Sequence, residues 1–236
     1  MNVVRPDRLP PAAAIRLLAT DYDGTLADRG VVAASTWAAI GRWRDSGRRV
    51  VLVTGRDRDD LAATCDRLDL FDGVVAENGG WLGGPGGRDG RPLATRPPDS
   101  FVEALRAAGV GPIAVGQVVV ATWQPHGATV AAVIRESGLP LRVIANKRAL
   151  MILPEGVDKA SGLRAALADL GVDAGAVAGI GDAENDAALL DACGLAVAVA
   201  NALPALQARA DLVTRGEQGA GVSEWIDATL ARSPGE

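Results

Sequence analysis

The chain has 236 residues, 48% of them apolar and only 3% aromatic, with a formal net charge of −5 at pH 7. That supplies the core of one large domain, or of a core domain with a smaller companion, and no apolar run is long enough to cross a membrane. The acidic, aromatic-poor composition argues against a nucleic-acid partner, and two cysteines, Cys65 and Cys193, are no disulfide framework.

Residues 1–14 read as a loose extension, polar and proline-broken, with none of the pattern of a secretory leader, so a cytoplasmic location is expected. A short apolar run then reads as a buried strand that delivers Asp21 and Asp23 into a turn at Gly24. Residues 33–47 carry Trp37, Ile40 and Trp43 at helical spacing, with Gly47 as a C-terminal stop; these tryptophans are expected in the core. A second apolar run, 50–53, ends in Thr54-Gly55-Arg56, after which Asp57 is placed to cap a helix with Leu61, Cys65 and Leu68 on one face. A third strand, 73–76, ends in Glu77-Asn78-Gly79.

The glycine-rich stretch 79–98 reads as a linker with room for a short hairpin. Beyond it, helices at 101–108 and 128–137, a strand at 117–123 and two strands around Asn146-Lys147-Arg148 make a small α+β insert. The first pattern resumes at Pro154. Lys159 opens a helix bearing Leu163, Leu167 and Leu170, and a strand at 177–180 runs into Gly181-Asp182-Ala183-Glu184-Asn185-Asp186 and a helix over 187–193. Short strands at 196–200 and 211–214 precede a terminal helix with Val222, Trp225, Ile226 and Leu230 inward. Strand and helix alternate, which predicts a doubly wound α/β core with a parallel sheet, residues 1–80 and 154–236, interrupted by an α+β cap domain, residues 81–153.

Four strand ends carry polar residues, and an open α/β sheet binds its ligands beyond those ends. For Asp21-Tyr22-Asp23-Gly24 alone an ordinary Asx-rich turn is the competing reading; a calcium loop is not, because its glycine stands fourth and Val32 holds the twelfth position. The only histidine is His126, in the insert, which disfavours a Ser-His-Asp or Cys-His mechanism. Asp21 can attack phosphorus directly, dividing one displacement into two through an aspartyl-phosphate, and Asp23 is placed to protonate the leaving oxygen and then activate water. Repulsion between close carboxylates calls for a cation, and Mg2+ suits them, with Asp182 supplying a further oxygen and Asp186 behind it. Thr54, the Gly55 N–H and Asn185 can donate to phosphate oxygens. Among 24 basic residues only Lys147 and Lys159 are lysine, and a compact ammonium at Lys159 fits beside phosphate and aspartate.

The four ordered motifs Asp21-Tyr22-Asp23-Gly24-Thr25-Leu26, Val53-Thr54-Gly55-Arg56, Lys159 and Gly181 through Asp186 resemble those of the haloacid dehalogenase (HAD) superfamily phosphatases. Glu77-Asn78-Gly79 before the insert, with Asn201-Ala202 and Ala210 through Thr214 after it, resemble the Cof-type branch, subclass IIB, whose cap lies between motifs II and III. The resemblance implies a HAD, Rossmann-like core with Asp21 as nucleophile and Asp23 as acid/base. It also implies metal binding by Asp21, the Asp23 main-chain carbonyl and Asp182, and phosphate binding by Thr54, Lys159 and Asn185.

The expected activity is magnesium-dependent hydrolysis of a small phosphorylated metabolite, foremost a sugar or similar polyol phosphate, by a monomer or homodimer with no nucleic-acid or membrane partner. Asn78 at the core, and Trp123, Gln124, His126, Asn146, Lys147 and Arg148 in the cap, are the candidates to contact the leaving group. A phosphotransferase or phosphomutase on the same scaffold, and a phosphate-sensing module without turnover, are the alternatives. A receiver domain is disfavoured by the nucleophile's place on the first strand, the motif order and the insert.

Overall fold

The computed structural model describes residues 1–3 and 9–232. Its larger sheet has nine strands in the order β1-β13-β12-β11-β2-β3-β4-β5-β6. In chain order these are β1 (Asn2–Val3), β2 (Leu17–Thr20), β3 (Arg49–Val53), β4 (Gly73–Ala76), β5 (Trp81–Gly83) and β6 (Arg91–Pro92), then β11 (Val177–Gly181), β12 (Leu195–Ala198) and β13 (Leu212–Val213). The six strands from β13 to β4 are parallel, and antiparallel pairs finish both edges.

The apolar runs are continuous because these strands are buried on both faces. Leu18, Val50, Leu52, Val74 and Ile180 join one hydrophobic cluster with α1 (Ala34–Asp45) and α8 (Gln218–Ala231). There Trp43 and Trp225 pack with ring centroids 5.1 Å apart. Leu17, Ala19, Val51, Val53 and Val75 turn the other way, onto Leu163 and Leu167 of α5 (Lys159–Leu170) and Leu189 of α6 (Ala187–Asp191). Alternate residues thus feed opposite layers. Strand β2 lies between β3 and β11, so the chain departs to one side of it first and returns on the other. Asp21 follows directly at that switch point, where such sheets open a crevice.

The smaller sheet is antiparallel, in the order β7 (Ala114–Val115), β8 (Val120–Trp123), β10 (Ala149–Pro154), β9 (Leu141–Asn146). Helices α3 (Asp99–Ala107) and α4 (Gly127–Ser137) cover one face, packing Phe101, Leu105 and Val130 with Ile152 of β10. Its β9–β10 hairpin turns on Lys147 and Arg148, with Lys147 at φ 54°. Among the described residues no helix is long and apolar enough to cross a membrane.

Four sequence expectations need correction. The glycine-rich stretch expected as a linker opening the cap contributes β5 and β6 to the larger sheet, so residues 81–92 continue the core. Its glycines clear space for the buried Trp81 indole: a Cβ on Gly90 would lie 1.7 Å from the ring and one on Gly83 2.5 Å from it. The helix after Asp57 ends sooner than expected: α2 (Arg58–Thr64) stops where Cys65 turns extended, and Leu68 begins a separate 3-10 turn. The strand expected at 117–123 begins at Val120, because the N–H groups of 117–119 are bonded elsewhere. Of the expected loose extension, Asn2–Val3 pair with β13 and Ala12–Ala14 form a 3-10 turn, while residues 4–8 lie outside the described ones.

Candidate active site

Strand β2 presents its C-terminal end to a tight loop that the rest of the core fixes from three sides. Gly24 takes φ 88°, and a Cβ there would meet Asp182 Oδ2 at 2.5 Å, so this turn needs glycine on both counts. The Asn201 amide donates to the Gly24 carbonyl at 2.8 Å and accepts the Gln218 N–H at 2.7 Å, tying the loop to the start of α8. The Thr25 hydroxyl donates to Asp182 Oδ1 at 3.2 Å.

At the centre lies Lys159, with no exposed surface. Its ammonium donates to Asp21 Oδ1 at 2.5 Å and to Asp186 Oδ1 at 2.6 Å. Asp186 Oδ2 accepts the main-chain N–H groups of Asp182 and Ala183, each at 3.0 Å. Burial alone pulls the Lys159 ammonium toward neutrality, but Asp186 and Asp21 outweigh it and hold it protonated. Burial, then the Asp186 charge, lifts the Asp21 carboxyl from 3.8 to about 7 against the pull of Lys159. The same two causes raise Asp182, opposed by Lys147. Asp21, Asp182 and Asp186 each offer an oxygen within 4.8 Å of the others.

Asp23 is half-buried and gripped by Arg56 in a two-pronged pair, Nε to Oδ2 at 2.6 Å and Nη2 to Oδ1 at 2.8 Å. Arg56 also reaches Asp60 and Thr64 and lies over the Tyr22 ring, so its guanidinium is fixed on every side. Spacing within the Thr-Gly-Arg run gave Arg56 no role; its partner arrives from 33 residues away.

Thr54 and Asn78 are buried behind this surface. The Asn78 N–H donates to the Thr54 carbonyl at 3.0 Å and its side-chain oxygen accepts from Asn185 Nδ2 at 3.0 Å. Asn185 Oδ1 and Asn78 Nδ2 find no hydrogen-bond partner among the described residues. Buried polar atoms are rarely left so.

A cavity of about 710 Å³ opens over these groups. Asp21, Asp23, Gly55 and Arg56 form its core side, and Val119, Ala121, Trp123, Asn146, Lys147, Arg148 and Met151 its cap side. Gly55 lets Met151 come close, since a Cβ would stand 2.6 Å from the Met151 methyl. Lys147 crosses from the hairpin to Asp182 Oδ2 at 3.1 Å, and its main-chain N–H donates to Glu184 at 3.3 Å. Of the expected cap contacts, Trp123, Asn146, Lys147 and Arg148 line the cavity, whereas Gln124 and His126 do not, His126 sitting beside the Gly111 carbonyl at 2.8 Å. Asn78, expected to touch the leaving group, is fully buried beneath Asn185.

Residues 18–92 and 141–226 match the family of haloacid dehalogenase-like hydrolases, leaving out most of the cap. A phosphoglycolate phosphatase of Haloarcula marismortui is 34% identical over 89% of this chain and 95% of its own. Among solved structures, one from Thermoplasma acidophilum superposes with a TM-score of 0.79 at 20% identity, covering 92% of this chain and 98% of that one. A subclass IIB sugar phosphatase superposes at 0.76 with 19% identity, over 92% and 99% respectively. With its motif carboxylates and lysine converging beyond one parallel sheet, and more than half its length matched, the chain belongs to the haloacid dehalogenase-like hydrolases.

Proposed function

We propose that the protein is a magnesium-dependent phosphomonoester hydrolase that works through an aspartyl-phosphate, a mixed anhydride, at Asp21. The observation that supports this most is the buried Lys159 ammonium between Asp21 and Asp186, beside a cavity that also takes in Asp23. An Asp21 oxygen attacks phosphorus, and the bond to the leaving oxygen breaks as Asp23 gives that oxygen a proton. Asp23, now a carboxylate, removes a proton from water. The hydroxide attacks the same phosphorus, the acyl-phosphate bond breaks, and Asp21 and inorganic phosphate separate. Both Asp23 oxygens are engaged by Arg56, so the proton transfers require one of those bonds to open.

The donor set suits magnesium, a hard cation that takes carboxylate oxygens and leaves room for water and phosphate. Asp186 has both oxygens engaged inside the core, by the buried Lys159 and two N–H groups, whereas Asp182 is held by Thr25 and by the exposed, displaceable Lys147; Asp21 and Asp182 are therefore the side chains that would hold the ion, with the Asp23 carbonyl. Bound there, magnesium would offset negative charge between the nucleophile and the phosphoryl oxygens. Lys159, Thr54, the Gly55 N–H and Asn185 would bind and orient the phosphoryl group.

The substrate we favour is a small phosphorylated acid, with phosphoglycolate first. The curated relatives carry that name, and Arg56, Lys147 and Arg148 give the cavity cations for a second anionic group. A sugar phosphate is the second reading, because the cavity is far larger than a two-carbon acid needs. The test is phosphate release from phosphoglycolate, sugar phosphates, acetyl phosphate and p-nitrophenyl phosphate, with magnesium and with EDTA, beside Asp21→Asn. Metal-dependent turnover absent from Asp21→Asn is expected. Turnover that survives the substitution would overturn the mechanism.

A further inference from the structure

We propose that Glu77 is a positioning residue that fixes the cap's substrate-facing strap, residues 116–119, to the catalytic core, and so acts on recognition of the leaving group. The side chain is 1% exposed and stands at the end of β4. Its Oε1 accepts the Gln117 N–H at 2.9 Å, and its Oε2 accepts those of Val118 and Val119 at 2.7 and 2.9 Å. Three successive N–H groups of one segment thus converge on one side chain, a concave arrangement suited to an acidic group.

The fit is close on both sides. A Cβ on Gly116 would stand 2.6 Å from Glu77 Oε2, and one on Gly80 2.7 Å from the Val118 Cβ. Glu77 itself takes φ 51°, a conformation that glycine or asparagine adopts more readily, so its side chain accounts for glutamate at this position. Its own N–H donates to the Arg56 carbonyl at 2.8 Å. Arg56 grips Asp23, while Gly116 and Val119 line the cavity across from Asp21 and Asp23. One residue therefore joins the wall that faces the leaving group to the loop whose Arg56 grips the acid/base candidate.

The activity arm of the test rests on the phosphatase reading, and the exchange arm does not. Glu77→Gln and Glu77→Ala of the full chain are compared with the parent by amide hydrogen exchange, melting temperature, and kcat and KM for acetyl phosphate and for phosphoglycolate. In Glu77→Ala the amides of 117–119 are expected to exchange about tenfold faster or more, with those of β2 and α5 unchanged. KM for phosphoglycolate rises about tenfold with kcat within about threefold, acetyl phosphate is nearly unaffected, and Glu77→Gln shows the smaller effect because one acceptor remains. Unchanged exchange at 117–119 overturns the proposal. So does a uniform loss of protection with a falling melting temperature, or an equal loss on both substrates, since a merely structural role predicts those. If Glu77→Ala does not fold, Glu77→Gln decides by the same readings. A parent that hydrolyses neither substrate removes the phosphatase reading, and the exchange pattern still decides whether Glu77 holds the strap.

Discussion

Lys159 is one of two lysines among 24 basic residues, and everything around its backbone disfavours a cation. It is the first residue of α5, where the helix dipole repels positive charge, and burial penalises the ammonium further. Two carboxylates within hydrogen-bond reach reverse both effects. Removing the ammonium strands those carboxylates in the interior, so Lys159→Met should cost about 3–5 kcal/mol of stability, read from urea unfolding. Adding Asp21→Asn should return part of that loss; a strictly additive double variant would show that the pair does not interact. The raised carboxyl of Asp21 sets a second expectation. Between 3.8 and about 7 the metal-free folded chain keeps a proton on Asp21 that the unfolded chain has released, so this group's contribution to stability falls as pH rises across that window. The same proton competes with magnesium. Apparent magnesium affinity should gain about tenfold per pH unit up to about pH 7 and then level off, with the pH dependence reduced in Asp21→Asn. Calorimetric titration from pH 5.5 to 8 checks this, and a flat profile in the parent would mean that Asp21 is already ionised across the range.

At the scale of the element, α5 delivers Lys159 because its start is fixed. The Asp158 side chain accepts the Ser161 N–H at 2.8 Å, the Ser161 hydroxyl accepts the Asp158 N–H at 2.9 Å, and Arg142 of β9 reaches the same aspartate. Asp158→Ala should cost about 1 kcal/mol through the lost cap. That corresponds to a fall of about 2–4 °C in Tm, while Asp158→Asn retains most of the stability. Equal melting of the two variants would show that the cap contributes nothing. Caps of this kind are local, as is the N-cap of α2, and so Asp57 and the opening of α5 at Lys159 were readable from sequence. The buried strands were readable for a related reason: a strand covered on both faces writes its burial as a continuous apolar run. What was not readable depended on distant partners. Gly83 and Gly90 look like linker residues until the Trp81 ring they make room for is in place. Arg56 and Glu77 look like ordinary charged residues until Asp23 and the 117–119 amides meet them. Of the cap residues, Lys147 and Arg148 reach the cavity through a hairpin turn visible in the sequence, and His126 is drawn off to Gly111 by a contact that was not.

Across the whole molecule, two of the contacts between core and cap are unlike. At the Glu77 end the contact is made of three hydrogen bonds to a buried carboxylate; at the hairpin end it is the Lys147 ammonium, whose side chain is 54% exposed, with its main-chain N–H on Glu184. Burial alone would lower the Lys147 pKa, but Asp182, and behind it Asp21 and Asp23, raise it, so the residue stays charged. Lys147 meets the buried Asp182 carboxylate from the solvent side, where salt screens it, so this contact weakens with ionic strength in a way the buried hydrogen bonds at the Glu77 end do not. The partner of Lys147, Asp182 Oδ2, belongs to the carboxylate that we assign to magnesium, which places the lysine and the ion in competition. Lys147→Met should therefore lower the magnesium concentration for half-maximal activity by about two- to fivefold. It should also raise KM for phosphoglycolate, because a cation that faces the leaving group is gone. The two effects have opposite signs, which a general loss of folding cannot produce. A magnesium titration at saturating substrate, followed by a substrate titration at saturating magnesium, separates them. Unchanged magnesium dependence would mean that Lys147 does not hold Asp182 in solution, whereas tighter magnesium with an unchanged KM would confine its role to the metal-free state.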